Sequence, residues 1–364
     1  MTRVRIGVVG AGLIGQIEHI PNLQRLSAQY EITGIADASA RMRAELERRG
    51  FRVFADYRRL LECELDAILV AAPDQYHADI TLAALERGLN VFCEKPLCFS
   101  VKEAKEIAKA RDRTGKVVQV GYMKRFDPSY EMLRDLLPKD GTGLRFISVE
   151  VQDPDSWPFN QHQGNFVKTD DISGELIEDA RTRREQQVRQ ATGRVLTGPE
   201  MWGFTNSYCS SLIHDINAVH GLLDVMGLET GSVIGAAFFA SGDGGHGSIR
   251  LKGCDAIWQM THLFVPKVAD YRERISLYFD DAVFELTFPS PYLNHFPTHL
   301  TIARSEGSTW RKTEYRASFE EAFVRELNGF WMSVTKGEPV RNTVEAAERD
   351  LQLAAQLAEA ALRK

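Results

Sequence analysis

An apolar run, Arg5 to Val9, ends in Gly10-Ala11-Gly12-Leu13-Ile14-Gly15, and a second apolar run, Ile32 to Ala36, ends in the carboxylate of Asp37. Each position in this set has its own steric or electrostatic reason. Gly10 lets the chain turn sharply off a strand, Gly12 lets backbone N–H groups approach a pyrophosphate, and Gly15 lets the following helix pack closely on a sheet. Leu13 and Ile14 open that helix, whose unpaired N–H groups and partial positive charge favour an anion. The unit is a strand, tight turn, helix and strand, and it is suited to holding a dinucleotide. Asp37 is placed to accept hydrogen bonds from ribose hydroxyls. A 2′-phosphate beside that carboxylate would be repelled, so NAD is expected over NADP. Arg41, one helical turn later, weakens this preference because a guanidinium offsets part of the charge.

Two other readings of the same glycines are an ordinary turn and the apolar part of a signal peptide after Arg3 and Arg5. The strand before, the helix after and the acid downstream argue against the first. Against the second, Gly7, Gly10, Gly12 and Gly15 would break an apolar helix, and no small-residue cleavage site follows.

A chain of 364 residues with 44% hydrophobic content predicts two domains with a core each. No apolar stretch approaches the ~18 residues needed to span a bilayer, so no membrane association is expected. The net charge is −6, and basic clusters such as Arg181 to Arg184 are diluted by glutamates, which leaves nucleic-acid binding without an electrostatic footprint. Cys63, Cys93, Cys98, Cys209 and Cys254 form an odd set without a C-x-x-C pair. That pattern predicts reduced thiols in a cytoplasmic protein rather than disulfides or structural zinc. His162, His246 and His299 have no metal-like spacing with carboxylates or cysteines, so no metal is expected.

Strands and helices alternate up to about residue 125. After Asp37 come a helix, Ala38 to Arg49, a short edge segment, Arg52 to Phe54, a strand, Ala67 to Ala72, and a helix, His77 to Arg87. The strand Asn90 to Cys93, the helix Val101 to Thr114 and the strand Val117 to Val120 follow. Continuous Val/Ile/Leu/Ala runs between amphipathic helices predict a parallel sheet covered on both faces, a doubly wound α/β domain. Beyond Gly121 the rhythm changes. A helix, Pro128 to Leu137, leads to a strand, Leu144 to Val151, and then to a polar stretch from Gln152 to Gly203 containing Pro154, Pro158 and Pro199. Within it, Ser173 to Gln190 reads as a charged, solvated helix. Next come a helix, Tyr208 to Leu223, and the segments Val233 to Ala240, Gly247 to Leu251, Ala256 to Leu263, Glu273 to Phe279, Val283 to Leu286 and Thr298 to Arg304. Strands this closely spaced predict an open, mainly antiparallel sheet in an α+β domain. The helices Phe319 to Thr335 and Thr343 to Leu362 close the chain. The expected division is residues 1–125 and 126–364, with 152–203 an insert that could form a lid or reach a neighbouring subunit.

Gly10 to Gly15, Ala71-Ala72-Pro73-Asp74-Gln75-Tyr76-His77, Cys93-Glu94-Lys95-Pro96-Leu97, Gly121-Tyr122-Met123-Lys124-Arg125-Phe126-Asp127 and the helix containing Ile213-His214-Asp215 together resemble the glucose-fructose oxidoreductase, inositol dehydrogenase and MocA (Gfo/Idh/MocA) family. The resemblance extends over the whole chain except Gln152 to Gly203. It implies an N-terminal Rossmann domain, a C-terminal α+β domain whose open sheet pairs subunits into dimers or tetramers, and NAD(P)-linked chemistry on sugars or cyclitols. Arg125 and Tyr122 match positions where the family contacts substrate or cofactor, and an interdomain salt bridge is an equally good reading of Arg125. The family's polyol dehydrogenases carry an aspartate one turn before the histidine, whereas Ser210 stands at that position here.

In a doubly wound sheet ligands sit outside the carboxyl ends of the strands. The loops Pro73 to His77 and Glu94 to Pro96 both leave that edge. The cofactor-binding set expected there is Gly10, Gly12, Leu13, Ile14, Gly15, Asp37, Arg41, Ala72, Pro73, Asp74, His77, Glu94, Lys95, Gln119 and Arg125. Oxidising a secondary alcohol requires its hydroxyl proton to leave, and Lys95 can hydrogen-bond the oxygen, stabilise negative charge and relay that proton. The alternative for Lys95 is a solvated loop lysine. His214 is the second catalytic candidate, since its ordinary pKa suits acid–base work near neutrality. Its alternative is a hydrogen-bonded interior histidine. Lys95, Tyr122, Arg125, Asp153, Ser210 and His214 are the expected substrate contacts, Asp153 offering a carboxylate at the end of its strand. The expected activity is NAD-dependent hydride transfer to or from a secondary hydroxyl of a sugar, sugar derivative or cyclitol. Two rivals are a redox-assisted elimination that retains its NAD, as in the family's glycosidases, and a dinucleotide-binding sensor without catalysis.

Overall fold

A computed structural model describes residues 2–162, 166–196 and 198–363. The chain forms two compact units, one made of residues 1–121, 161–195 and 326–349, the other of 122–160, 196–325 and 350–364.

The first unit contains a parallel six-stranded sheet of β1 (Val4–Val9), β2 (Tyr30–Ala36), β3 (Val53–Phe54), β4 (Ala67–Val70), β5 (Asn90–Glu94) and β6 (Val118–Gly121) in the order β3-β2-β1-β4-β5-β6. The chain winds outward from β1 to β3, then returns to the other side of β1 with β4. The switch point therefore lies between β1 and β4, where loops diverge and leave a crevice. All four residues of β4 are buried, which accounts for its unbroken apolar run. The helix Val101–Thr114 starts at a reciprocal capping box between Ser100 and Glu103 and stops at Gly115 with φ +64.

The single expected boundary at residue 125 does not match this division, because two later segments join the first unit. Leu327, Phe330 and Trp331, from the helix Ala322–Lys336, belong to the same buried cluster as Val4, Ile6, Tyr30 and Phe92. Tyr30 Oη donates to Leu327 O at 2.6 Å. Residues 161–195, read from sequence as part of the second domain, join this unit through polar contacts described below. The helix within them spans Gly174–Thr192 and buries only Val188.

The second unit is built on an eight-stranded sheet of β7 (Leu144–Asp153), β8 (Glu229–Phe238), β9 (Gly244–Lys252), β10 (Ile257–Phe264), β11 (Arg272–Phe279), β12 (Ala282–Phe288), β13 (His299–Glu306) and β14 (Thr309–Tyr315). The order is β14-β13-β12-β11-β7-β10-β9-β8, antiparallel except for the pair β7 and β10. The edge strand β14 was not expected. Its sequence, Thr-Trp-Arg-Lys-Thr-Glu-Tyr, has no buried residue, so it is held by backbone pairing with β13 rather than by an apolar face. Ile147, Val149 and Val151 of β7 and Trp258, Met260 and His262 of β10 are buried at the strand period of two. The helix expected at Tyr208 to Leu223 is longer: a widened π-helical segment, Gly203–Ser211, runs into the α-helix Leu212–Val225. His220 Nδ1 lies 2.6 Å from Asp350 Oδ1, and Asn217 Nδ2 donates to Asp350 Oδ2 at 2.7 Å, which pins this helix to Val344–Ala361. Among the described residues no cysteine forms a disulfide. Among the described residues no helix is long and apolar enough to cross a membrane.

Candidate active site

In the first unit the glycine turn has the expected form. Gly10 has φ +96, and a Cβ there would lie 2.3 Å from Ala71 O, so only glycine fits. A Cβ on Gly15 would lie 2.7 Å from Gly10 O, whereas one on Gly12 would project into open space above the turn. Gln16 N–H donates to Gly12 O at 3.0 Å, which makes Leu13 and Ile14 the first turn of the helix. Asp37 Oδ2 accepts from Ala11 N–H at 2.8 Å and Oδ1 from Ser39 N–H at 2.8 Å. It thus braces the turn, and each oxygen keeps a further lone pair for a hydroxyl. These features fit a dinucleotide: an open approach over Gly12, helix amides facing it, and a carboxylate at the end of the second strand. Arg41 does not stand ready for a phosphate, because its guanidinium is paired with Asp170.

The loops after β4 and β5 are joined by His77. Its Nδ1 is 2.7 Å from Pro96 O and its Nε2 is 2.7 Å from Ala72 O. Two carbonyl acceptors require two ring protons. Burial lowers the His77 pKa, but Cys93, Asp74 and the Pro96 carbonyl outweigh it and raise the value to about 10. This corrects the expectation of direct cofactor contact: His77 is 1% exposed and acts by holding both loops, leaving Ala72, Pro73 and Asp74 nearer the surface.

Glu94 is likewise an internal brace. Its Oε1 lies 2.7 Å from His19 Nε2, and its Oε2 accepts from the Lys95 amide at 3.0 Å. Burial raises its pKa, yet His19 and Lys95 together bring it below the ordinary value. A Cβ on Gly121 would come 3.1 Å from this carboxyl, which explains the glycine at the end of β6. Lys95 precedes a cis peptide bond to Pro96 and is half-buried. Gln119, also expected at the cofactor, is fully buried and donates to Glu326 O at 3.1 Å, so its role is to tie β6 to the returning helix.

In the second unit, Tyr122 is 1% exposed and sets its ring edge-on to His214, with centroids 6.2 Å apart. Arg125 packs on the helix Leu212–Val225 at Gly221, where a Cβ would lie 2.6 Å from its guanidinium. Ser210 falls on the widened segment before that helix and is half-buried. Asp153 ends β7 on the same face as Val151. Its Oδ2 accepts from Ser211 Oγ at 3.1 Å and lies 3.1 Å from His262 Nε2. His262 Nδ1 is 2.8 Å from Ser207 Oγ, and Trp202 stacks on the imidazole at 6.0 Å. The arrangement is satisfied with the Ser207 hydroxyl donating to Nδ1 and Nε2–H donating to Asp153. Ser207 and His262 are buried, while the Asp153 side chain is 26% exposed, so the accessible end of this chain of bonds is a carboxylate. Asp153 thus reaches the start of the His214 helix through Ser211, from a strand rather than from position 210 of the helix.

A second cluster escaped sequence reasoning. Lys124 Nζ donates to Asp215 Oδ1 at 3.0 Å and to Glu273, and Tyr271 Oη donates to Glu273 Oε2 at 2.8 Å. Burial and the neighbouring Glu273 raise the Asp215 pKa well above the carboxylate range. These bonds fix the segment Met123–Phe126 and the His214 helix to β11. Alternation along β7 and β10 could have placed Asp153 and His262 on one face, but nothing local marks Lys124 and Glu273 as partners.

Residues 4–122 match the family described as "Oxidoreductase family, NAD-binding Rossmann fold". The chain is 29% identical to the rhizopine catabolism protein MocA of Rhizobium meliloti over 67% of its length and 74% of that protein's. It is 38% identical to inositol 2-dehydrogenase 3 of Saccharopolyspora erythraea over 44% of its length. That match spans 48% of the dehydrogenase, about half its length. Among solved structures, UDP-N-acetylglucosamine 3-dehydrogenase GnnA from Acidithiobacillus ferrooxidans superposes with a TM-score of 0.72 at 20% identity, covering 99% of this chain and 98% of that one. The 3-ketoreductase KijD10 from Actinomadura kijaniata, in complex with NADP and TDP-benzene, does so with a TM-score of 0.72 at 19% identity, covering 99% of this chain and 98% of that one. The two structures share the fold of both units. The glycine turn, the Glu94-Lys95-Pro96 loop and the match over residues 4–122 make the first unit similar to the NAD-binding Rossmann domain of Gfo/Idh/MocA oxidoreductases.

Proposed function

We propose that the protein is an NAD-dependent dehydrogenase or ketoreductase acting on a secondary hydroxyl or ketone of a sugar, sugar derivative or cyclitol. The observation that carries this reading is the combination of an open glycine turn bracketed by Asp37 with a lysine held on a braced loop after β5. When bound, the nicotinamide takes up or returns a hydride at C4. Gly10, Gly12, Leu13, Ile14, Gly15 and Asp37 hold the nucleotide, with Ala72, Pro73 and Asp74 beside them. Lys95 of the first unit hydrogen-bonds the reacting oxygen and relays its proton. His214 of the second unit, oriented by Tyr122, serves as acid–base partner or hydroxyl ligand, and the exposed oxygen of Asp153 accepts from a substrate hydroxyl. Names of relatives support the substrate class, since they include inositol dehydrogenases and a sugar-nucleotide 3-dehydrogenase.

A panel of inositols, aldoses, amino sugars and sugar nucleotides, with NAD and NADP, tests the reading by absorbance of the reduced cofactor. Turnover with at least one polyol is the expected result. Substrate consumption without net cofactor change would identify the elimination route instead, and binding without turnover would identify a sensor. Exposed Ile234, Leu263, Tyr278 and Trp310 on the eight-stranded sheet support pairing of copies through that sheet, which light scattering tests. The odd cysteine set without a C-x-x-C pair fits a cytoplasmic location.

A further inference from the structure

Segment 166–195 of the first unit touches the loops at the carboxyl ends of three parallel strands. Gln16, next to the glycine turn, donates from Nε2 to Val167 O at 3.0 Å and accepts the Val167 amide on Oε1 at 2.8 Å. The helix Gly174–Thr192 meets the loop after β4, where Tyr76 donates to Asp179 and Arg183 pairs with Asp79. Between these contacts lie Asp170 and Asp171. Asp171 Oδ1 accepts from Ser39 Oγ at 2.5 Å and Oδ2 accepts the Arg41 amide at 2.9 Å, while Asp170 takes the Arg41 guanidinium.

The chemistry of the Ser39 and Arg41 side is that of an anion site. A hydroxyl, an amide in the first turn of the helix Ala40–Arg48 and a guanidinium converge just after the ribose-binding position, where a nearby arginine would otherwise accommodate a 2′-phosphate. Here two carboxylates of the same chain fill it. Ion pairs as exposed as Arg41 with Asp170 contribute little to stability, so their effect falls on the charge that an arriving nucleotide meets.

We propose that Asp170 and Asp171 are specificity-determining residues that occupy the Ser39–Arg41 anion site and exclude dinucleotides carrying a 2′-phosphate. The proposal rests on the reading of Asp37 as the ribose ligand and extends it: Asp37 repels the phosphate, and Asp170 and Asp171 withhold the groups that would otherwise neutralise it.

The test is equilibrium binding of NAD and NADP to the full chain by calorimetry, with no substrate present. The wild-type protein should bind NAD more tightly than NADP. In Asp170→Asn/Asp171→Asn the NADP affinity should rise about tenfold, the scale for removing two unit charges beside a dianion at an exposed site, with NAD affinity little changed. Adding Arg41→Gln should abolish that gain. Asp170→Asn alone keeps the Asp171 bonds and should show a smaller gain in the same direction, which keeps the test open should the double variant fold poorly. A wild-type protein that prefers NADP, or binds neither dinucleotide, would overturn the Asp37 reading and this inference together. A wild-type preference for NAD with an unchanged NADP-to-NAD ratio in both aspartate variants would overturn this inference alone.

Discussion

Replacing Lys124 by Met removes the one cation from a buried trio in which Lys124, Asp215 and Glu273 are 3%, 0% and 4% exposed. Methionine has similar length and no charge, so two carboxyls would be left together, one of them still accepting from Tyr271. Breaking a buried ion pair by deleting one partner costs about 3–5 kcal/mol, because the remaining charge has neither water nor a partner. Part of that loss is avoidable where Asp215 takes up a proton, and burial and Glu273 already raise its pKa well above the ordinary value. A carboxyl whose folded pKa lies above its unfolded one contributes stability that is fully present below the unfolded pKa and lost as pH rises through the folded pKa. Without Lys124, which lowers it, the folded pKa of Asp215 rises further, and the loss deepens from mildly acidic to mildly basic conditions. Urea unfolding, followed by tryptophan fluorescence, should give a deficit relative to wild type that is small near about pH 5 and reaches about 3–5 kcal/mol near about pH 8. Lys124→Met/Glu273→Gln, which removes one of the two like charges, should recover part of the deficit at the higher pH. A deficit equal at both pH values, or below about 1 kcal/mol at the higher one, would refute the assignment of a shared buried charge.

Gly10→Ala places a Cβ 2.3 Å from Ala71 O at φ +96, a strain of about 1–3 kcal/mol, and calorimetry should show NAD binding lost or strongly weakened; unchanged affinity would contradict the geometry of the turn. Lys95→Ala should lower kcat by about 10²–10⁴-fold with little change in NAD affinity, and turnover at the wild-type rate would remove Lys95 from the mechanism. Asp153→Asn should lower kcat/KM by roughly 10–100-fold, the worth of one charged hydrogen bond, mainly through KM. His262→Gln, which can still donate to Asp153, should lose less than His262→Leu, and equal losses in both would mean that the imidazole does not position the carboxylate.

The features legible in the sequence share one property: their parts are close in sequence or obey a backbone period. The glycine turn depends on which residues tolerate φ +96 and the contact with Ala71, and the Glu94-Lys95-Pro96 loop on one strand end. The buried β4 is an unbroken apolar run, and the widely alternating strands of the second unit announced themselves by period two. Their roles were less legible than their positions. His77, Glu94 and Gln119 were expected at the cofactor, and each instead uses its polar atoms on neighbouring loops or a returning helix.

What remained hidden joins distant residues. Asp153 and His262 are 109 residues apart, Lys124 and Glu273 149, and Arg41 and Asp171 130. No local propensity ranks one acid above another as partner for a given base, since the energy of a charge pair depends on separation and burial. Those two quantities exist only after β7 has found β10 and β11 and after segment 161–195 has joined the first unit. Backbone sterics written into a few consecutive residues thus specify a nucleotide turn, while sheet register and burial select the acids, bases and braces around it.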